Sequence, residues 1–219
     1  MRKKKMPEPY KIADLVMETL VRRVRKRTEQ TKRKLSLLDF DDLHVMDETE
    51  ALYEHFSVDI RAELRGLYGA RYMEVYEWLT GKYPEDDTVD ELVEMYLAGI
   101  WKEPNESTHY AFGPELSRKK EKAQEAIRAV PTKVQKQIEL DKASRYVLQQ
   151  IGFYVDIASQ GAEKKAMTDA GIKKVKWNIY GDDRVCKTCY DRNGKIYEIS
   201  KVPPRPHLRC RCYLTPVRE

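Results

Sequence analysis

The sequence predicts a mainly α fold ending in a small α+β module with short antiparallel strands. Three observations carry that expectation. Apolar residues recur at helical spacing through most of the chain up to Gly171. Beyond it the period drops to two, with Val175, Trp177 and Ile179 alternating with Lys174, Lys176 and Asn178. All four cysteines fall in this last stretch, and a module so small needs a staple to hold a fold. The 219 residues are 41% hydrophobic and 35% charged, which suits one domain or one plus a small module and is too apolar for a wholly disordered chain.

The elements follow in order. Ile12, Leu15, Val16, Leu20 and Val24 predict a helix from Tyr10 to about Leu38. Past Val24 the apolar stripe fades, so the basic run Arg22-Arg23-Val24-Arg25-Lys26-Arg27 is expected to project from any core. After an acidic break at Asp39–Leu43, Asp47 reads as an N-cap with Glu50 three residues on. The helix it opens runs to about Thr80 on Leu52, Phe56, Ile60, Leu64 and Leu67. Tyr68, Tyr72, Val75 and Trp78 extend that stripe, and acidic neighbours make the aromatic set Tyr68, Tyr72, Tyr76 and Trp78 a packing surface rather than a base-stacking one. Asp86 and Asp87 suit the positive N-terminal end of a third helix. Pro104-Asn105 and Gly113-Pro114 bracket a loop, and a polar helix spans Leu116–Val130. A longer helix starts near Thr132 and stops at Gly171. Asn193-Gly194 marks a tight turn before a short strand Lys195–Ile199, and Arg211–Leu214 forms a last strand. The expected division is a basic N-terminal helix (1–38), an acidic helical region (39–130), a long helix (131–171) and a Cys/His module (172–219).

Charge partitions along the same lines. Residues 1–38 carry 13 Lys/Arg against 4 Asp/Glu, residues 39–106 carry 5 against 19, and residues 107–219 carry 23 against 13. Basic ends can meet a polyanion, or pair with the acidic middle of a neighbouring copy. No apolar run reaches the roughly 20 residues of a bilayer crossing, so no membrane partner is expected. No apolar stretch of signal-peptide type follows the first basic residues, so secretion is not expected either.

The chemistry concentrates in Cys186-Lys-Thr-Cys189 and His207-Leu-Arg-Cys210-Arg-Cys212. Two thiolates separated by two residues can turn onto one ion, and Zn²⁺ takes four tetrahedral S/N ligands. Side chains two apart on a strand stand about 6.7 Å apart, whereas tetrahedral Zn–S bonds of about 2.3 Å need sulfurs roughly 3.8 Å apart. The expected ligands are therefore Cys186, Cys189, His207 and Cys210, with Cys212 as substitute, around a structural Zn²⁺. Two disulfides fit less well without a secretory signal. Basic residues including Arg205, Arg209 and Arg211 surround this site and, with Arg22, Arg23, Arg25, Lys26 and Arg27, are the candidate DNA or partner contacts. His44, His55 and His109 are scattered and read as ordinary histidines.

Residues from about 140 to 216 resemble the phage minor head protein family, the head-morphogenesis proteins of the Mu protein F type. The matching pieces are Gly161–Gly171, Lys174-Val-Lys-Trp177, Asp183-Arg-Val-Cys186-x2-Cys189, Asn193-Gly194-Lys-Ile-Tyr197 and Pro203-Pro-x2-His207-x2-Cys210-Arg-Cys212. Ala143-Ser144-Arg145-Tyr146 stands near the place where the family usually has an Arg-Thr-Glu signature. The resemblance implies a virion component and not an enzyme. Such a protein is made in the bacterial host cytoplasm and sits inside the head near the portal, aiding head assembly and DNA packaging or delivery. Its implied partners are the portal protein, the major capsid protein, packaged double-stranded DNA and other copies of itself. The alternatives are a sequence-independent DNA-binding zinc protein or regulator and, less favoured, a zinc-dependent nuclease. The spacing of a C2H2 finger is absent, and no His-x-Glu precedes the cysteine pair.

Overall fold

The computed structural model describes residues 6–37, 42–101, 112–181, 185–203, 205–206, 210 and 212–217. It is mainly helical, with a small sheet at the C-terminal end. The elements are α1 (Lys11–Leu37), α2 (Asp42–Thr80), α3 (Asp86–Trp101), α4 (Phe112–Arg128), α5 (Lys133–Asp169), β1 (Lys174–Ile179), α6 (Lys187–Arg192), β2 (Ile196–Glu198), a 3-10 turn (Ile199–Lys201) and β3 (Cys212–Val217). Among the described residues no helix is long and apolar enough to cross a membrane.

The chain forms two compact units, each discontinuous in sequence. One comprises residues 16–65 and 94–151, the other residues 1–15, 66–93 and 152–219. The purely helical unit buries Leu20, Val24, Leu52, Phe56, Ile60, Leu64, Leu97, Ile127, Leu140 and Val147. Here α1 does not project beyond Val24. Thr28, Thr31 and Leu35 continue its buried stripe, because a threonine can satisfy its own hydroxyl. Thr28 Oγ1 lies 2.8 Å from the Val24 carbonyl and 2.6 Å from Ser144 Oγ.

Two helix starts also differ from expectation. α2 begins at Asp42 and Asp47 lies inside it, because Val45 and Thr49 are already buried and Thr49 Oγ1 donates to the Val45 carbonyl at 2.7 Å. α4 begins at Phe112, so Gly113-Pro114 belongs to its first turn, where proline costs no hydrogen bond. A β-carbon on Gly113 would stand 3.0 Å from both the ring and the carbonyl of Trp101. Only glycine lets the two helices approach so closely. The expected loop between them, with the acidic break at 39–41 and His109, lies outside the described residues.

In the second unit, α5 ends as expected. Gly171 adopts φ 77°, its N–H meets the Thr168 carbonyl at 3.0 Å, and the Ile172 N–H meets the Met167 carbonyl at 2.9 Å. That pair of bonds is a Schellman stop, and it turns the chain directly into β1. The sheet order is β2-β1-β3, antiparallel throughout. Val175 and Trp177 point inward with Leu214, while Lys174 and Lys176 stay exposed. Val175 lies opposite Pro216, and Ile179 opposite Cys212.

Candidate metal centre

The turn that carries the first cysteine pair is a short helix, α6, which alternation and turn signals had not revealed. Cys186 is its N-cap, in extended conformation (φ −75°, ψ 162°), and its Sγ accepts the N–H of Cys189 at 3.4 Å. The Tyr190 N–H closes on the Cys186 carbonyl at 3.0 Å. One helical turn thus places Cys189 inward, buried beside the sheet. Gly194, at φ 80°, ends the helix and returns the chain along β1, with its N–H 2.8 Å from the Trp177 carbonyl and the Trp177 N–H 2.9 Å from that of Lys195. The Arg192 guanidinium stands 5.2 Å from the Trp177 ring centroid.

Cys210 and Cys212 come from the other end of the module. The Sγ atoms of Cys189, Cys210 and Cys212 all lie within 4.8 Å of one another, and all three residues are buried. The expected exclusion of Cys212 by Cys210 therefore fails. The two-residue alternation of side chains holds only inside a strand, and β3 begins at Cys212, leaving Cys210 on irregular backbone. Cys186 is only half-buried and caps α6 beside the cluster. His207, Arg209 and Arg211 lie outside the described residues.

Electrostatics show how three sulfurs share this space. A hydrogen bond from the Cys212 thiol, helped by the Cys212 backbone, the Cys189 thiol and the charge of Arg205, brings the Cys210 thiol down to about 5. Burial pushes Cys189 up to about 12, and Cys212 rises because its thiol donates to Cys210. The three sulfurs hydrogen-bond to one another, with Sγ of Cys189 and Cys210 at 3.3 Å. A divalent cation bound there would displace the thiol protons. Three sulfurs at this spacing match one face of a tetrahedron whose edge is about 3.8 Å for zinc–thiolate bonds. The buried cluster could hold a metal ion. None of the four cysteines is in a disulfide.

The same unit holds a set of buried polar groups, some of them directly against the cluster's backbone. Arg205 was expected at a DNA or partner surface. Instead its side chain is 6% exposed, donates to the Cys210 carbonyl at 2.8 Å and meets Asp156 at 3.6 Å. Tyr10 is buried against the same backbone, donating to the Cys212 carbonyl at 2.5 Å. Arg71, 1% exposed, pairs with Glu74 at 2.7 Å and faces Glu163 at 3.6 Å. Burial pushes the Glu163 carboxyl above the ordinary carboxylate range, against the pull of both arginines. Tyr72 is buried and donates to Asp169 at 2.8 Å.

The basic face of α1, in the helical unit, is partly neutralised by this chain's own acidic middle. Arg23 lies 2.9 Å from Glu63, and Arg27 lies 3.5 Å from Asp59. Arg22, Arg25 and Lys26 are exposed. No protein-family model matches the chain, and no curated protein or solved structure matches it.

Proposed function

We propose that this chain is a structural component of a phage head, a minor head protein placed inside the capsid near the portal, whose C-terminal module is stapled by one Zn²⁺. The observation that carries the reading is the buried Cys189/Cys210/Cys212 cluster, formed by the cysteine motif on which the resemblance to head-morphogenesis proteins rests. A fourth donor closes a structural site, and the two available are Cys186, already at the rim, and His207. Zinc held there would join two distant segments of a small module, and a fourth protein donor would make the site a structural one. The reading makes the protein a scaffold and not an enzyme.

Packaged double-stranded DNA is the proposed polyanion. On α1 its binding falls to Arg22, Arg25 and Lys26, since Arg23 and Arg27 are engaged by Asp59 and Glu63. Charge reversal at those three should lower the magnitude of the slope of log K against log salt by up to about 0.9 for each phosphate that is no longer neutralised. The decisive experiment locates the chain in a reconstruction of the assembled particle. Density for it beside the portal supports the reading, and a chain absent from particles but bound to DNA in the cell supports the regulator instead.

A further inference from the structure

The start of the chain meets the backbone of its last cysteines. The Tyr10 hydroxyl donates to the Cys212 carbonyl at 2.5 Å and lies 3.4 Å from that of Cys210, some 200 residues away in sequence. Arg205 donates to the same Cys210 carbonyl at 2.8 Å, and its guanidinium stands 5.6 Å from the Tyr10 ring centroid. The ring edge of Tyr180 packs on Tyr10 at 5.4 Å, while its hydroxyl donates to Glu8 Oε1 at 3.0 Å. Arg71 reaches the Glu8 carbonyl at 3.4 Å. Residues 8–10 are therefore held by side chains of the cysteine module and its neighbours, and Tyr10 is 3% exposed.

We propose that Tyr10 and Arg205 form a latch that couples metal occupancy of the Cys189/Cys210/Cys212 cluster to the docking of residues 8–10. The inference rests on the metal reading of that cluster. The two carbonyls that receive the latch belong to two of the three residues whose sulfurs face the proposed ion. A bound cation fixes the direction of those sulfurs, and through two short side chains it fixes the peptide groups that carry them. Tyr10 and Arg205 then find their acceptors already in place. The coupling works both ways, because a latch that orders the Cys210–Cys212 backbone must raise metal affinity by the same factor by which metal favours the latch. Hydrogen-bond partners just outside a metal's ligands typically change affinity about 10–100-fold.

The test uses the full chain with Zn²⁺ as probe. Hydrogen exchange of the amides of residues 10–15 should quicken about tenfold or more when zinc is withdrawn by a chelator, while those of residues 56–64 in the helical unit keep their rates. Tyr10→Phe, measured by competition with a chromophoric chelator, should bind zinc about tenfold more weakly. Tyr180→Phe, whose hydroxyl touches Glu8 and not the cysteine carbonyls, should stay within twofold of the unaltered chain. Should Tyr10→Phe fail to fold, the exchange comparison on the unaltered chain still decides. A chain that takes up no zinc overturns the metal reading itself. A chain that takes up zinc with unchanged exchange at residues 10–15, or a Tyr10→Phe variant with undiminished affinity, overturns the latch alone.

Discussion

The two units bury different materials. The helical unit hides mostly aliphatic and aromatic side chains, with a few hydroxyls (Thr28, Thr31, Thr49, Ser144) and Lys136, and its ion pairs, such as Arg23 with Glu63 and Lys34 with Glu48, stay at least partly exposed. The unit with the sheet hides, besides its apolar residues, three thiols, two arginines, a glutamate and the tyrosines Tyr10 and Tyr72. Burying apolar surface contributes roughly 25 cal/mol per Å² and demands only shape. Burying charge demands a partner for every group, and removing one partner costs several kcal/mol. The first unit should therefore yield gradually to substitution, and the second should fail abruptly at a few positions.

The largest effect is expected at the sulfurs. Cys189→Ser, Cys210→Ser and Cys212→Ser should each abolish zinc uptake and loosen residues 172–217, because structural zinc contributes on the order of 10 kcal/mol to the fold it closes. Metal analysis with hydrogen exchange would check this, and a Cys212→Ser variant that keeps its zinc would remove that residue from the ligand set. Phe56→Ala, in the apolar core of the helical unit, should cost about 3–5 kcal/mol by denaturant titration while leaving zinc content near one per folded chain. Arg71→Ala should cost about 3 kcal/mol by leaving Glu163 without its ion-pair partner and with only the more distant pull of Arg205, whereas the double replacement Arg71→Met with Glu163→Leu should recover most of that loss. If the double variant is as unstable as the single one, the buried pair fixes the local structure beyond its charge balance.

The smallest effect concerns pH. A hydrogen bond from Lys120, aided by Gln124, holds the Glu50 carboxyl below its ordinary range. The carboxylate is favoured in the folded state, so its contribution is present above an unfolded value of about 4.3 and is lost as pH falls through the lower folded value. Glu50 is well exposed, so the pair should be worth less than about 1 kcal/mol. The difference in melting temperature between Glu50→Gln and the unaltered chain should be small at pH 6 and shrink steadily as pH falls below the ordinary glutamate range.

Sequence patterns revealed what depends on local spacing. Helical periodicity located α1, α2, α3 and α5, Gly171 located the end of α5, and alternation located β1. The cysteine spacings located the cluster. What escaped them depends on distant partners. Asp47 has every local mark of a cap, yet burial of Val45 and Thr49 extends the helix past it. Arg205 and Arg71 look like surface charges in the sequence, since nothing nearby shows that Asp156 and Glu163 will meet them. Tyr10, next to Pro9, reads as the start of a helix, and its acceptor lies at the far end of the chain. The pairing of Arg23 and Arg27 with the acidic segment was legible as a charge complement, though not as one satisfied within a single chain.

The register of β3 has a consequence for crowding. Trp177 directs both its N–H and its carbonyl towards the β2 side, so Val175, two residues away on the same strand, does the same. Pro216, opposite Val175, therefore aims its nitrogen away from β1, and that nitrogen carries no hydrogen. The outer edge of β3 lacks a donor where a foreign strand would seek one, and the opposite edge, β2, is only three residues long. A sheet bounded by one short edge and one proline-blocked edge is a poor template for strand addition. The sheet is thereby protected against edge-to-edge pairing with another sheet.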